Sequence, residues 1–317
     1  MKRILGICGP TSSGKTDLAH KLAKKISGEI VNADAMQIYK EFPILTNSPS
    51  QSNMKEIKYH LYNFLEIKTD FSVKEYCLKA SKTINDIISR NKIPIIVSGS
   101  GFYLNSLLLG YHSLPNISEE NKLRLQKDLD NYSNLEIHNK LISCDKRFEK
   151  LNKNDVYRIR RAYAIFLQTG ESIYNFYNEK NFISSFSKFK KRIFFIKTQR
   201  DSLNTEILKR IETMLKSGTI KEVQNFLSQN NNILPKNVLK IIGTEEIKKY
   251  LDNHISINSL TNQIFLRTKK YAKRQDTWFR NQLLNLKDTD KNLCINIIKS
   301  DINSLTNILN KIKKYFE

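Results

Sequence analysis

The chain has 317 residues, 40% hydrophobic and 26% charged, a globular balance in which one large domain or two modest ones can build a core. No apolar run is long enough to span a membrane and the first residues lack a signal-peptide layout, so the expectation is a cytoplasmic protein with no membrane partner. The 53 Lys and Arg against 31 Asp and Glu leave a net charge of +22, which calls for a polyanionic partner if the basic residues cluster and for nothing if they spread over solvated surface.

The first part of the chain alternates strand and helix signals. Residues 4–8 are a short apolar run bounded by Gly9-Pro10. From Lys15, apolar residues recur at Leu18, Ala19, Leu22, Ala23 and Ile26, which is helical spacing, and Gly28 stops it. Ile30-Val31 opens a second strand that runs into Asp34, and residues 72–89 carry a helical stripe that includes Tyr76, Ala80 and Ile84. Residues 93–97 are a buried strand ending in Ser98-Gly99-Ser100-Gly101. Strand, helix, strand in this order predicts a parallel sheet. Residues 118–187 have helical patterns and no convincing strand: Ser118 before Glu119-Glu120 reads as a capped start, and a stripe from Val156 to Leu167 stops at Gly170. Strand character returns at residues 193–196 and 293–298, between long helices. The predicted fold is α/β: a P-loop NTPase-like parallel-sheet core, residues 1–115 and 191–317, with an all-helical domain of residues 116–190 inserted.

Gly9-Pro10-Thr11-Ser12-Ser13-Gly14-Lys15-Thr16 fits G-x-x-x-x-G-K-[ST] and sits between a strand and a helix, the context that supports a phosphate-binding loop. Glycines let the backbone curl so that its N–H groups face phosphate oxygens, and the helix N-terminus adds partial positive charge. Lys15 supplies a full charge and the Thr16 hydroxyl can hold Mg²⁺. By motif the loop is nucleotide-binding. An ATP-hydrolysing enzyme usually has an Asp at the end of a later strand, and residues 93–97 run into Ser-Gly-Ser-Gly with no acid.

Toward the C-terminus, a helix over residues 264–280 carries Arg267, Lys270 and Arg274 on one face, with Phe265, Tyr271, Ala272, Trp278 and Phe279 as apolar surface. Arg158, Arg160 and Arg161 form a second basic group on the insertion, and two such clusters suggest a clamp around RNA. Cys8, Cys77, Cys144 and Cys294 form no CxxC pair, so neither a zinc site nor a disulfide framework is expected. The five histidines show no ligand spacing.

Together these segments resemble the tRNA dimethylallyltransferases (tRNA isopentenyltransferases). The loop GPTSSGKT is close to that family's form; residues 32–39, NADAMQIY, look like its Ser-x-Asp-Ser-x-Gln-x-Tyr; residues 94–103, PIIVSGSGFY, look like its strand ending in Gly-Gly-Thr-Gly-x-Tyr. Arg158 and Arg161 match two arginines of its insertion, and residues 272–280, AKRQDTWFR, are nearly Ala-Lys-Arg-Gln-x-Thr-Trp-Phe-Arg. The resemblance runs from the first strand to Arg280. It implies transfer of a dimethylallyl group from dimethylallyl diphosphate to the exocyclic amine of the adenosine 3′-adjacent to the anticodon, by a monomer that uses Mg²⁺.

The same resemblance implies site residues. Asp34 would be the general base, with Lys15, Thr16, Arg210 and Ser100 completing the catalytic set, and Gly9, Pro10, Thr11, Ser12, Ser13, Gly14, Lys15 and Thr16 holding the diphosphate. Contacts to the tRNA anticodon stem-loop would come from Asp34, Ala35, Met36, Gln37 and Ser100. On the insertion they would come from Lys122, Tyr157, Arg158, Ile159, Arg160 and Arg161, and on the basic helix from Lys273, Arg274, Gln275, Thr277, Trp278 and Arg280. His60 matches a position that is often His. The chain departs from the pattern at Ala35 (Ser), Leu45 (Gly), Ser98 (Gly), Ser100 (Thr), Glu206 (Arg) and Thr244 (Tyr). A small-molecule kinase would use the same loop with ATP but leaves the arginine clusters unexplained. A non-enzymatic RNA-binding protein leaves the complete Gly14-Lys15-Thr16 unexplained.

Overall fold

A computed structural model describes residues 2–283, 286, 290–299 and 309. The chain forms two compact units, residues 110–184 and the two segments that flank them. The first segment contains β1 (Arg3–Cys8), α1 (Lys15–Ile26), β2 (Gly28–Asn32), α2 (Gln51–Glu56), β3 (Tyr59–His60), α3 (Val73–Ser89), β4 (Ile93–Ser98) and α4 (Gly101–Leu108). The insertion contains β5 (Tyr111–His112), α5 (Glu119–Asn131), α6 (Asn134–Cys144), α7 (Val156–Thr169) and β6 (Phe182–Ile183). The chain then returns through β7 (Lys190–Lys197), α8 (Arg200–Lys216), α9 (Thr219–Ser228), α10 (Thr244–Leu251), α11 (Ile257–Trp278) and β8 (Leu293–Lys299).

The sheet is parallel with strand order β3-β2-β4-β1-β7-β8. β1 and β4 are near-continuous apolar runs because helices cover both faces of a parallel sheet. Leu18, Leu22 and Ala23 of α1 pack with Leu5, Ile7, Ile30 and Ile95. β7 begins before its apolar run because Lys191 is buried, its ammonium donating to the carbonyls of Leu108 and Phe186 and pairing with Asp290. Burying that charge is tolerable only because its donors are used.

β4 runs between β2 and β1, so Asp34 and the phosphate loop stand above three neighbouring strand ends. Two sequence expectations change. The insertion is not all-helical. Its two ends run side by side and pair as antiparallel β5–β6, strands too short for an alternating pattern to register. The unit accordingly spans residues 110–184, where helical patterning alone suggested 116–190. Its own core joins Ile137, Leu141, Phe148, Ile159 and Ile165.

Glu29 on β2 is 5% exposed and binds the Arg90 guanidinium at the end of α3 and His60 Nε2 on β3. The Arg90 hydrogen bond, more than His60, holds its carboxyl down to about 2. A carboxyl depressed by folding contributes stability above its ordinary value near 4.5, and that contribution is lost as pH falls toward 2. Glu29→Gln should cost about 3 kcal/mol at pH 7, as expected for breaking a buried pair. Urea unfolding of both proteins at pH 7 and pH 3 should find the difference smaller at the lower pH.

Candidate active site

The loop after β1 is shaped by left-handed backbone at Ser12 (φ 61°) and Gly14 (φ 78°). The first is tolerable in a tight turn; the second is a conformation that glycine adopts without strain. No side chain caps α1, so its first amides are not consumed by a local hydroxyl. The Ser12 and Ser13 hydroxyls are buried with no hydrogen-bond partner among the described residues. Orphaned buried donors of this kind fit an anion that supplies the missing acceptors. Lys15 donates to the Pro10 carbonyl at 3.2 Å, and burial, opposed by the charge of Asp34, pulls its ammonium down to about 8. Thr16 is half-buried on the first turn of α1.

Asp34 reaches toward the same point from the end of β2. Asn32 Oδ1 accepts its backbone N–H at 2.8 Å, and its own Oδ1 accepts from the Met36 N–H at 3.0 Å, a closed turn that aims the carboxylate. The carboxylate passes over the end of β4, where a side chain at Gly99 would collide with Asp34 Oδ2 and come within 2.9 Å of Gln275 Nε2. That is the physical reason for the glycine at position 99. The Ser98 hydroxyl bridges the carbonyls of Ala33 and Ser100, and Ser100 Oγ accepts from the Ala35 N–H and meets the Tyr271 side chain. Burial first, then Asp34, raises the Tyr271 phenol well above its ordinary value.

These groups border a cavity of about 400 Å³ with two kinds of wall. One is polar: Thr11, Lys15, Asp34, Thr46, Arg210 and Tyr271. The other is apolar and includes Leu45, Ile207, Ile211, Met214 and Ile241. Arg210 stands inside the α8 stripe Ile207–Ile211–Met214, so helical spacing aims it inward; it donates to Thr11 Oγ1 and the Thr46 carbonyl. A lone arginine within an apolar helical stripe is a sequence signal for the site. Residue spacing alone revealed neither this signal nor the apolar wall.

Of the expected RNA contacts, Lys273, Arg274 and Arg280 are exposed, and Arg274 also lines the cavity. Arg280 pairs with Asp276, and Arg267 with the buried Glu246, so Arg267 is engaged inside the protein. Gln37 spends its amide on the Thr46 and Asn47 carbonyls. Two of these residues are buried. Ile159 is 0% exposed in the insertion's core, and Gln275 is 6% exposed with both amide atoms bonded to protein, so neither side chain is open to RNA. Trp278 is half-buried, its ring against the Gly101 backbone. Within the insertion, Tyr157, Arg158 and Arg160 are exposed and Arg161 is half-buried on α7; Lys122 lies on α5, exposed and paired with Glu119. The departures are accommodated locally: Thr244 is buried and donates to the Val238 and Ile241 carbonyls, Glu206 is exposed and pairs with Lys209, and Leu45 packs on Gly243.

The family model described as IPP transferase matches residues 37–282. The chain belongs to that family. The tRNA dimethylallyltransferase of Rickettsia canadensis (strain McKiel) is 41% identical over 306 residues, covering 94% of this chain and 92% of that protein. That of Rickettsia bellii (strain OSU 85-389) is 42% identical over 285 residues, 89% of each. Among solved structures, a tRNA delta(2)-isopentenylpyrophosphate transferase from Staphylococcus epidermidis matches with TM-score 0.66 and 28% identity over 100% of this chain and 99% of that one. A eukaryotic dimethylallyltransferase acting on tRNA matches with TM-score 0.82 and 25% identity, covering 99% and 78%.

An anion in the loop should return Lys15 toward its ordinary value near 10.5. Between pH 8 and 10, binding of a saturated alkyl diphosphate should therefore take up a proton, and below pH 7, where Lys15 is already charged, it should take up none. Calorimetry at pH 9 in buffers of different ionisation enthalpy measures this. In Lys15→Met the uptake should vanish and the affinity fall.

Proposed function

We propose that the chain transfers a dimethylallyl group from dimethylallyl diphosphate to the exocyclic amine of the adenosine 3′-adjacent to the anticodon of tRNA, releasing diphosphate. The observation that carries this reading is one cavity with an anion cradle, a carboxylate and an apolar wall, bordered by an exposed basic helix. The named activity of the relatives supports it.

The adenine amine is a weak nucleophile because its lone pair is delocalised into the ring, so bond formation needs a base. Asp34 takes one amine proton as the N–C bond forms. The allylic C–O bond breaks, and its electron pair leaves with the diphosphate. Lys15, Arg210, the Ser12 and Ser13 hydroxyls and the loop amides hold the charge that grows there, and preorganised donors are worth most where water is excluded. Isoleucines and Met214 accommodate the prenyl chain. Thr16 would hold Mg²⁺ against the diphosphate; when bound, the ion neutralises part of the leaving charge.

The target base must be flipped out of the anticodon loop to reach Asp34, and Lys273, Arg274 and Arg280, with Tyr157, Arg158, Arg160 and Arg161 on the insertion, supply the cations and aromatic surface that hold the RNA. The resemblance to the family implies a monomer, and the cytoplasm is the compartment where such a substrate meets it.

Incubation with tRNA and labelled dimethylallyl diphosphate, without ATP, should label the RNA; a requirement for ATP with phosphorylated product would replace this reading with a kinase. Asp34→Asn should bind both substrates and slow transfer by about 10²–10⁴-fold, the span of a lost general base. Arg274→Ala should lower the slope of log affinity against log salt for an anticodon stem-loop by roughly 0.7–0.9. In contrast, Trp278→Ala should lower stability by about 3 kcal/mol while leaving that slope unchanged.

A further inference from the structure

We propose that Gln275 is a positioning residue that couples RNA held by α11 to diphosphate held by the phosphate loop, so that each ligand tightens the binding of the other. The proposal rests on the prenyl-transfer reading and adds to it a regulation of the same site.

Gln275 follows Lys273 and Arg274, two exposed cations, yet its own side chain turns to the opposite face of the helix and is 6% exposed. Its Oε1 accepts the Thr11 N–H at 2.8 Å, and its Nε2 donates to the Gly99 carbonyl at 2.7 Å. A single amide thus joins the basic helix to the phosphate loop and to the strand end over which Asp34 reaches. Thr11 is held from a second side by Arg210 on its hydroxyl. One turn earlier on α11, Tyr271 meets Ser100 and Gln275 and also lines the cavity. A buried amide with both ends satisfied resists displacement, because losing either partner leaves an unpaired polar group. Any ligand that fixes α11 therefore fixes Thr11, and a loop already ordered costs less to bind diphosphate. Linkage makes the effect reciprocal.

The test measures the affinity of the full chain for a saturated alkyl diphosphate by calorimetry, alone and with saturating anticodon stem-loop RNA. RNA should tighten binding about five-fold or more in the wild type, the lower end of usual site-to-site couplings. Gln275→Leu keeps the bulk and loses both hydrogen bonds; each ligand should still bind, with the coupling reduced below about two-fold. Gln275→Glu keeps an acceptor for Thr11 but turns a carboxylate oxygen on the Gly99 carbonyl, and should lose coupling as well. Hydrogen exchange in the wild type needs no variant: RNA alone should slow exchange of residues 9–16. Diphosphate affinity unchanged by RNA, full coupling in either folded variant, or a loop whose exchange RNA leaves unaltered would each overturn the proposal. If one ligand fails to bind at all, the prenyl-transfer reading falls and the coupling with it; if both bind independently, that reading stands and only the coupling falls.

Discussion

The site depends on one place where no side chain is allowed. β4 ends between the phosphate loop and the turn that carries Asp34, and any substituent on Gly99 would meet the Asp34 carboxylate and the Gln275 amide. Because that position is bare, a carboxylate from β2 can lie across a strand to face a lysine that follows β1, and α11 can bring the Gln275 amide down onto the Thr11 N–H and the Gly99 carbonyl. Ligands in open parallel sheets bind beyond the carboxyl ends of strands because loops there converge. Here the convergence is tighter than strand order alone would allow.

A second constraint is electrostatic. Lys15 is buried and Arg210 half-buried at one wall of the cavity, and desolvation pulls both below their ordinary values, with Asp34 the anion that offsets this. A pair of desolvated cations facing one carboxylate destabilises the empty site and is relieved by an incoming polyanion. In the proposed reaction the same arrangement would be stronger toward a leaving diphosphate than toward an esterified one, since charge accumulates on the leaving group as the allylic bond breaks. Binding and acceleration would then draw on one set of donors, and only the second part of their effect would be catalytic.

Local features were legible in the sequence and tertiary ones were not. The phosphate loop, the capped helices and the buried strands depend on neighbours in the chain, so spacing found them. The position of β4 between β1 and β2 is a matter of strand order, on which no periodicity bears. Gln275 and Ile159 show a subtler limit: motif resemblance identifies a residue that matters without saying which way it faces. Gln275 belongs to a segment rich in exposed cations but points at the loop, and Ile159 lies between exposed arginines because an α-helix alternates its faces every few residues. The insertion's two-residue strands carry too little pattern to be seen at all.

The basic balance of the sequence also overstates how many cations are free. Arg158 pairs with Asp155, Lys122 with Glu119, Arg280 with Asp276 and Lys209 with Glu206, each within a turn of helix. Such exposed pairs contribute little to stability, typically below about 1 kcal/mol. Their effect is to hold long side chains extended along the helix surface, and a phosphate can displace the acidic partner at small cost. Arg267 differs because Glu246, its partner, is buried and could not be left alone without a desolvation penalty. The distinction between a cation open to RNA and one committed to the fold thus rests on the burial of the carboxylate beside it, a property the count of lysines and arginines does not contain.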